Sequence, residues 1–386
     1  MIRRRSPHGP IVYGVTIPLS ARAFLRGQLN LLAPLRNDVH LVYGPDGEGP
    51  VDEIDQRVTQ RCLPVRRDPA PLQDLRGLHA LIQYLSSIRP GTVVMGTPKM
   101  GLLGLLAAWL IGVPRRIYVL YGLRLQGATG MGRVVLWIIE RISMACATEI
   151  LALSPSNRDE ALKLRLVSSR KIQVLGDGSI GGVDLERFSP PQDFEKGRAR
   201  DVFEIPLEAP VLGFVGRLTP DKGLGDMVEM WRRVSSAVPE AWFLLVGPNE
   251  SSDMGVEHLV DELRTLPRVV VAGARPDPET AYKAVDVLVL LTRREGFGMV
   301  VIEAAACGVP SVASAVNGTV DAISCGETGR LVDWGDVQGA AAAVTEYLTN
   351  DNLRRQHGAR AKQRAVEKFS ASRVNGLWLD HISGKG

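Results

Sequence analysis

Short apolar runs rich in β-branched residues alternate with longer helical segments along the first half of the chain. Runs of strand length are predicted at 11–17, 39–43, 92–95, 116–120, 150–153 and 172–175. Helices are predicted between them at 21–35, 72–87, 100–113 and 131–147, with Ser20 as the N-cap of the first. Because the strands are almost continuously apolar and helices separate them, the pattern predicts a parallel α/β sheet covered on both faces.

A second series of the same kind follows a glycine-rich and proline-containing interruption at 176–191. New strands are predicted at 211–215, 241–246, 269–272 and 285–291, and a helical region at 337–368. A short final segment at 372–382 carries apolar residues at helical spacing, namely Val374, Leu377 and Trp378. Two domains are therefore predicted, at 1–185 and 186–369, followed by a terminal helix at 370–386.

The composition is ordinary for a globular protein and limits the choice of compartment. The chain has 386 residues, of which 45% are hydrophobic and 23% charged, which suggests two or three domains. Its four cysteines show no CxxC spacing, so a reducing cytoplasm is expected: Cys62, Cys146, Cys307 and Cys325. No apolar segment follows the basic start at 1–5, as a signal peptide requires, and the longest apolar run, at 100–113, is shorter than the roughly 20 residues of a spanning helix.

Charge is distributed unequally between the two halves. Residues 1–180 hold 23 Lys and Arg against 13 Asp and Glu, a net charge of +10, whereas residues 181–386 hold 23 against 29, a net charge of −6. A basic first domain suits an anionic membrane surface or an anionic acceptor, with arginines at the ends of its two apolar helices: Arg115, Arg116, Arg133 and Arg141. Alternatively, the basic residues serve only to keep the first domain soluble. Nucleic acid is not expected as a partner, because helix-turn-helix, RNP and zinc patterns are absent.

Candidate chemistry is concentrated in the segment 294–312, where two glutamates flank a glycine-rich turn. An apolar strand precedes Glu295, the sequence Gly296-Phe297-Gly298 forms the turn, and the apolar run from Met299 leads through Glu303 toward a Gly-Val-Pro stop. The turn would present backbone N–H groups of a helix start to an anion. An eight-residue spacing predicts that Glu303 lies about two turns into the helix on the same side as Glu295. Two acids beside an anion site suit a nucleotide sugar, which has both phosphates and hydroxyls.

Other strand ends in the second half carry polar candidates. Residues 216–223, GRLTPDKG, follow the first strand, and they include Gly216 with the two cations Arg217 and Lys222. Asn249 and Glu250 follow the next strand, and Arg275 follows the third, where an ordinary solvated loop arginine is an equal alternative. No Asp-x-Asp triplet or His/Cys cluster with metal spacing is present, so metal-free chemistry is expected. The absence of G-x-G-x-x-G after the first strand of either half argues against an NAD enzyme.

These segments resemble the E-x7-E signature and the GR-x4-KG pattern of the retaining glycosyltransferases of family 4. The resemblance spans roughly 11–379 and implies a GT-B fold: two Rossmann-like domains whose parallel sheets face each other across a cleft, with the terminal helix crossing back to the first. The second domain would bind the nucleotide-sugar donor, expected to be a UDP-sugar, through residues at its strand ends: Gly216, Arg217, Lys222, Asn249, Arg275, Glu295, Gly296, Phe297, Gly298, Met299 and Glu303.

The resemblance also implies roles for these residues. Arg217 and Lys222 would offset the charge of the leaving diphosphate. Glu295 would hold donor sugar hydroxyls and Glu303 the ribose hydroxyls, while Gly298 and Met299 offer backbone N–H groups to phosphates. The reaction would proceed by attack on the same face, with the leaving phosphate accepting the proton of the acceptor hydroxyl. Arg217, Lys222 and Glu295 are therefore the predicted catalytic residues, with no metal or other cofactor.

The first domain is expected to bind the acceptor and shows less specific signals. Candidate residues for the acceptor or its phosphate are Thr16, Arg22, Thr97, Lys99, Arg124 and Arg133. Residues 96–99 resemble a TPKAG segment of transferases that build lipid-linked or capsular glycans, although the histidine that many members carry near this strand end is missing. The expected acceptor is a polyprenyl-phosphate-linked glycan, met by a peripheral enzyme at the inner face of the cytoplasmic membrane. Decoration of a soluble metabolite, or binding of nucleotide sugar without turnover, are the alternatives.

Overall fold

A computed structural model describes residues 9–36, 38–45, 49–68, 70–249 and 254–384 of the chain. The described residues divide into two compact units, one comprising 1–181 together with 371–386, and the other comprising 182–370. The predicted boundary after residue 185 lies four residues beyond this division. The terminal segment groups with the first unit.

The first unit contains, among its described residues, a seven-stranded parallel sheet. Its strands are β1 (Ile11–Gly14), β2 (Val39–Tyr43), β3 (Thr59–Cys62), β4 (Thr92–Met95), β5 (Arg115–Leu120), β6 (Glu149–Ala152) and β7 (Ile172–Gln173). Its helices up to that point are α1 (Pro18–Phe24), α2 (Arg26–Leu32), α3 (Pro71–Ile88), α4 (Pro98–Leu110), α5 (Gly130–Cys146) and α6 (Pro155–Lys163). The order β3-β2-β1-β4-β5-β6-β7 reverses its direction between β1 and β4.

Three local features of this unit differ from the sequence prediction. Ser20 is not an N-cap, because α1 begins at Pro18, whose fixed φ and missing N–H suit the first position of a helix. The predicted single helix at 21–35 is two helices, α1 and α2, with Leu25 between them. The prediction omitted β3, whose residues are mostly exposed and therefore carry no apolar signal.

The second unit contains a six-stranded parallel sheet within the described residues. Its strands are β8 (Val211–Val215), β9 (Trp242–Val246), β10 (Val269–Gly273), β11 (Val287–Leu290), β12 (Ser311–Ser314) and β13 (Gly329–Val332). Its helices are α7 (Asp193–Asp201), α8 (Leu224–Ala237), α9 (Met254–Thr265), α10 (Pro278–Ala284), α11 (Met299–Ala306), α12 (Thr319–Ala322), α13 (Val337–Thr349) and α14 (Asp351–Phe369). The strand order is β10-β9-β8-β11-β12-β13, so the direction reverses between β8 and β11.

A buried carboxylate joins the starts of β8 and β11. Asp286, just before β11, accepts hydrogen bonds through Oδ2 from the Val211 backbone N–H (2.8 Å) and from Nη2 of buried Arg200 on α7 (2.9 Å). Its other oxygen pairs with Lys196 at 2.7 Å. Because a buried charge is stable only when it is paired and hydrogen-bonded, this network fixes the two central strands side by side.

The chain ends with α15 (Ala371–Ser383), which packs within the first unit. Asn375 Nδ2 donates to the Gly181 carbonyl at 3.0 Å, and the guanidinium of Arg115 donates to the carbonyls of His381 and Ile382. Trp378, predicted to lie on the apolar face, is fully buried. Among the described residues, no helix combines the length and the apolar character needed to cross a bilayer.

Candidate active site

The candidate residues of the second unit lie at the carboxyl edge of its sheet, where the strand order reverses. The segment 216–223 follows β8, and the segment 291–298 follows β11, and these two strands are neighbours in the sheet. A reversal of strand order leaves a crevice outside the carboxyl ends of the two central strands, and ligands of open α/β sheets bind there. The topology therefore brings together two segments that are about 75 residues apart in sequence.

A direct contact joins the two segments. The ammonium group of Lys222 forms an ion pair and hydrogen bond with Oε1 of Glu295. Both side chains are partly buried, and both were predicted as catalytic from sequence, although their contact was not. The pair holds a cation and a carboxylate at the same point of the crevice, so a phosphate and a sugar hydroxyl can both find a partner there.

Four residues that were not predicted as site residues hold this pair in place. The backbone carbonyl of Asp221 accepts hydrogen bonds from the Arg293 backbone N–H (2.8 Å) and from Oγ1 of buried Thr292 (3.0 Å). The carboxylate of Asp221 pairs with the guanidinium of Arg294, including an Nε contact of 3.1 Å. These bonds join the residue before Lys222 to the residues just before Glu295, so the two loops are braced against each other.

Glycine is required at position 223 for both conformation and space. Gly223 has φ +76°, and a Cβ built there would lie 2.1 Å from the carbonyl oxygen of Leu291, at the end of β11. Such a contact is impossible without backbone movement. The glycine of the predicted GR-x4-KG segment thus allows the loop after β8 to approach the end of β11.

The turn after Glu295 leads directly into α11, the helix that carries Glu303. Gly298 has φ +80° and is the N-cap of α11, which begins at Met299. Glu295 therefore lies outside the helix, and Glu303 is in the second turn of α11, so the helical-periodicity argument for their common side was wrong. The Phe297 side chain is buried against Phe369, with ring centroids 5.0 Å apart, so only its backbone is available to a ligand.

Glu303 is held by a neighbour on α10 that the sequence did not reveal. Oε2 of Glu303 accepts a hydrogen bond from the hydroxyl of buried Tyr282 at 2.7 Å. Burial raises the pKa of the Glu303 carboxyl to about 7, while the Tyr282 hydroxyl and the charge of Arg187 act in the opposite direction. Arg187 pairs with Glu279 at 2.7 Å and packs over the ring of Phe188. Glu303 therefore changes charge near neutral pH and can gain a hydrogen-bonding ligand on its second oxygen.

The remaining donor candidates lie on the adjacent strand ends. Gly216 and Gly247 are in close backbone contact, since a Cβ at Gly247 would lie 1.8 Å from the Gly216 carbonyl oxygen. Leu218 and Asn249 form a parallel bridge, which places Asn249 beside the segment of Arg217, whose side chain is exposed. Arg275 is paired with Asp277 and lies over the ring of Phe203, so its guanidinium is already engaged. Glu250, the alternative to Asn249, lies outside the described residues.

In the first unit, three polar residues follow neighbouring strands at the reversal of strand order. Thr16, after β1, and Thr97, after β4, bring their hydroxyl oxygens within 2.6 Å of each other. Thr97 has φ +63°, a strained conformation for a residue with a branched side chain, and such strain is common at functional sites. Tyr121, after β5, was not identified from sequence. Its hydroxyl is buried and has no hydrogen-bond partner within the described ranges.

The cationic acceptor candidates of this unit differ in availability. Lys99 pairs with Asp74 at 2.7 Å, and Arg22 pairs with Glu53 at 3.0 Å, so both side chains have carboxylate partners within the unit. Arg124 is exposed. Burial raises the pKa of Glu140 on α5 to about 7, and the nearby charge of Arg124 lowers it. Arg124 is therefore the better placed of the three to meet an anion.

No group of three or more His, Cys, Asp or Glu side chains is arranged to hold a metal ion in the part of the chain that the structure describes. This observation concerns the protein ligands alone, since a divalent ion could also be carried by a diphosphate substrate. Metal-independent turnover stays a prediction.

Comparison with known proteins covers both units. The family model described as Glycosyl transferase 4-like domain matches residues 21–178, and the model described as Glycosyl transferases group 1 matches residues 195–364. The chain is 33% identical over 353 residues to the capsular polysaccharide biosynthesis glycosyltransferase CapM of Staphylococcus aureus, covering 90% of each. It is 24% identical over 368 residues, 93% of each, to the UDP-Gal:alpha-D-GlcNAc-diphosphoundecaprenol alpha-1,3-galactosyltransferase of Escherichia coli.

Among solved structures, Anabaena HepE in complex with UDP and glucose matches with a TM-score of 0.80 at 17% identity, covering 97% of this chain and 100% of HepE. A likeness at this level of identity establishes the fold, here two units with parallel Rossmann-like sheets of the GT-B class. The relationship to CapM along nine tenths of both chains, together with the two family models, shows that this chain belongs to glycosyltransferase family 4 and is a glycosyltransferase.

Proposed function

We propose that the protein is a retaining glycosyltransferase that moves a hexose or N-acetylhexosamine from a UDP-sugar to a hydroxyl of a lipid-linked or polysaccharide-precursor glycan. The observation that carries the proposal is the Lys222–Glu295 pair at the reversal of strand order in the second unit. A cation for the leaving diphosphate and a carboxylate for sugar hydroxyls are the two groups that a sugar donor requires at its reacting end.

Lys222 and Arg217 have complementary roles in this proposal. The exposed guanidinium of Arg217 binds the diphosphate bidentately, while Lys222 acts as a compact charge beside the bond that breaks. Negative charge develops on the diphosphate as that bond lengthens, so both contacts strengthen toward the transition state. Glu295 orients Lys222 before the donor arrives and then accepts hydrogen bonds from sugar hydroxyls.

Glu303 accepts hydrogen bonds from the ribose hydroxyls of the donor. Tyr282 occupies Oε2 and leaves Oε1 for the nucleoside, so the hydroxyl of Tyr282 is a positioning group for this contact. The backbone N–H groups of Gly298 and Met299, at the start of α11, face the phosphates. This division places the nucleoside at α11 and the sugar at the Lys222–Glu295 pair.

In the transfer step, the bond between the anomeric carbon and the diphosphate oxygen breaks, and a bond from that carbon to the acceptor oxygen forms on the same face. The proton of the acceptor hydroxyl passes to the departing phosphate oxygen. No protein nucleophile is needed, so Glu295 is not assigned that role. The products are the α-linked glycan, from an α-linked donor, and UDP.

The names of the relatives support the nature of donor and acceptor. The E. coli relative is named for a UDP-galactose donor and a diphosphoundecaprenol-linked acceptor, CapM for capsular polysaccharide biosynthesis, and HepE was crystallised with UDP and glucose. In the first unit, Thr16, Thr97 and Tyr121 would receive the acceptor sugar, and Arg124 its phosphate. The unpaired Tyr121 hydroxyl supports this placement, because a bound hydroxyl would satisfy it.

The test is a donor and acceptor panel with the pure full-length chain. UDP-, GDP- and ADP-sugars are incubated with the protein alone and with either a sugar on a polyprenyl diphosphate or a matched soluble glycoside. The proposal predicts slow nucleotide release from a UDP-sugar alone and faster release with the lipid-linked acceptor. Preference for GDP- or ADP-sugars would contradict the donor assignment, and preference for the soluble glycoside would favour the soluble-metabolite reading.

A further inference from the structure

The helix α5 of the first unit exposes an apolar face that no described element covers. Five large apolar side chains spaced for one face are strongly exposed: Met131 (77%), Val134 (51%), Val135 (48%), Ile138 (46%) and Ile142 (42%). Isolated exposed apolar residues are common on protein surfaces, whereas a contiguous stripe of this kind marks an interaction site. We call these five residues the α5 stripe.

The opposite face of α5 is firmly attached to the unit, so the stripe is not a displaced core face. Glu140, Ser143 and Met144 are buried, and the hydroxyl of Tyr118 on β5 donates to Glu140 at 3.0 Å. Trp137 Nε1 donates to the Leu164 carbonyl at 3.0 Å. These contacts fix the rotation of the helix about its axis, and they leave the stripe facing solvent.

The exposed charges of α5 itself have one sign. Arg133 and Arg141 are exposed on α5, and Glu140, the only acidic residue of the helix, is buried. At the carboxyl end of α5, Lys171 donates to the carbonyls of residues 144 and 145, and its pKa is lowered by burial and by the nearby charges of Arg116 and Arg141. Two exposed arginines, Arg133 and Arg141, therefore accompany the α5 stripe, and α5 has no exposed carboxylate.

An apolar stripe bordered by cations is complementary to one partner above others, the surface of an anionic bilayer. Helices of this type lie in the plane of the interface, with apolar side chains at the level of the acyl chains and cations at the headgroups. We infer that α5 docks the first unit on an anionic membrane surface through the α5 stripe, with Arg133 and Arg141 at the lipid phosphates. The docking does not depend on the chemistry of the enzyme, whereas its use in reaching a lipid-linked acceptor rests on the proposed function.

This assignment changes which arginines matter. The sequence suggested both apolar helices, at 100–113 and 131–147, as membrane contacts, with the arginines at their ends: Arg115, Arg116, Arg133 and Arg141. In the structure Arg115 pairs with Glu149 and donates to carbonyls of α15, and Arg116 donates to carbonyls of residues 113 and 146, so both have structural partners. Most of α4 is buried in the core of the unit. Within the described residues, α4 exposes Trp109 and Leu110 at its last turn, whereas α5 combines an apolar stripe along its length with the exposed Arg133 and Arg141.

The experiment is co-sedimentation of the full-length chain with vesicles of phosphatidylcholine, with and without phosphatidylglycerol. Binding is expected only with the anionic vesicles and is expected to weaken at high salt, because the electrostatic contribution is screened. Val135→Glu/Ile138→Glu is expected to abolish binding. Arg133→Gln/Arg141→Gln is expected to weaken it about 30-fold, from about fivefold for each arginine near an anionic surface.

The matched control is Leu72→Glu/Leu75→Glu, which changes two exposed leucines on α3 of the same unit and is expected to bind like the wild type. Circular dichroism establishes that each variant is folded. Equal binding to neutral and anionic vesicles, no binding by the wild type, or wild-type binding by Val135→Glu/Ile138→Glu would overturn the inference. Concentration-dependent dimers abolished by Val135→Glu/Ile138→Glu, without vesicle binding, would assign the stripe to a second copy instead.

A second readout separates this inference from the proposed function. Nucleotide release from a UDP-sugar in the absence of acceptor is expected to be unchanged in Val135→Glu/Ile138→Glu, because the stripe is in the first unit and the donor residues are in the second. Vesicle binding without any nucleotide release would leave the docking intact and refute the donor chemistry. The reverse result would refute the docking alone.

Discussion

Removing the hydroxyl of Tyr282 should shift the pH at which the protein binds UDP. This hydroxyl donates a hydrogen bond to Oε2 of Glu303 at 2.7 Å. Burial raises the pKa of the Glu303 carboxyl to about 7, and the hydrogen bond from Tyr282 acts in the opposite direction. Tyr282→Phe removes the donor and keeps the ring that packs against Phe188. If the ionised Glu303 binds the ribose, the variant should lose UDP affinity at neutral pH.

The size of the effect follows from the hydrogen bond. A bond to a charged acceptor contributes about 1.5–3 kcal/mol, and a shift of one pKa unit corresponds to about 1.4 kcal/mol, so the pKa of Glu303 should rise by about 1–2 units. The carboxylate form dominates above the pKa, so UDP affinity should increase through about pH 7 in the wild type and through about pH 8–9 in the variant. At pH 7 the ionised fraction falls from about a half to about a tenth or less, which weakens binding at least fivefold.

Isothermal titration calorimetry with UDP between pH 6 and pH 9 measures this shift. UDP itself titrates near this range, because the second ionisation of a terminal phosphate has a pKa near 6. Glu303→Gln is the control for this effect, because it keeps the titration of UDP and removes that of the Glu303 carboxyl. The double variant isolates the coupling, because Tyr282→Phe should have little effect in the Glu303→Gln background. Coincident pH curves for wild type and Tyr282→Phe, or equal weakening in both backgrounds, would refute the role given to this pair.

Three further predictions concern the second unit. Arg217→Ala and Lys222→Ala should each lower kcat/KM by about 10² or more with turnover surviving EDTA, and loss of activity on chelation, restored by Mn²⁺, would contradict a diphosphate neutralised by side chains alone. Gly223→Ala should lower stability to urea and reduce turnover, because its Cβ meets the Leu291 carbonyl. Gly225→Ala is the control, since position 225 is exposed in α8 with open space around it, and it should be neutral or stabilising by up to about 1 kcal/mol. Equal stability of the two variants would show that the close approach of the loop after β8 to the end of β11 is not required. Glu303→Gln should stabilise the fold by about 3 kcal/mol at pH 8 and little at pH 5. A carboxyl pKa raised from 4.5 to about 7 gives the wild type stability that is present below pH 4.5 and lost as pH rises through 7. A pH-independent difference in urea denaturation would argue against the raised pKa.

The architecture of both units was predictable because parallel strands buried on both faces leave a strong apolar signal. Most strands and their alternation with helices were predicted, and β3 was missed because its mostly exposed residues contribute no such signal. The strands β12 and β13 were also missed, because their sequences, SVAS and GRLV, contain only one and two large apolar residues. The helical region at 337–368 is interrupted at Asn350, which caps α14 by accepting a hydrogen bond from the Leu353 N–H at 3.1 Å. A single polar residue decides that break, and the apolar pattern on either side does not report it.

The sequence predicted which strand ends carry the candidate site, but it did not predict which of their side chains contact each other. Lys222 and Glu295 were both predicted, but their ion pair depends on which strands are neighbours, and that follows from the order β8-β11 in the sheet. Tyr282 lies on an ordinary short helix, and nothing in its local sequence indicates that it hydrogen-bonds to Glu303, 21 residues later. Partners of this kind are set by tertiary packing, which a single sequence does not display.

The same limit applies to surfaces. The apolar residues of α4 and α5 look alike in sequence, yet α4 is mostly buried and α5 exposes Met131, Val134 and Ile138. Hydrophobic content identifies both as helices with apolar faces, but the packing partner decides whether such a face belongs to the core or to an interface. The prediction of a membrane-facing first unit therefore stays a prediction that only its α5 variants can test.

The configuration of the sugar linkage formed by the pure enzyme tests the central claim most directly. The chain is incubated with an α-linked UDP-sugar and a polyprenyl-diphosphate-linked sugar in the presence of EDTA, and the anomeric proton of the product is observed by NMR while UDP release is followed in parallel. We predict stoichiometric UDP and an α-linked product, both strongly reduced in Lys222→Ala. A β-linked product, or full activity of Lys222→Ala, would contradict the account.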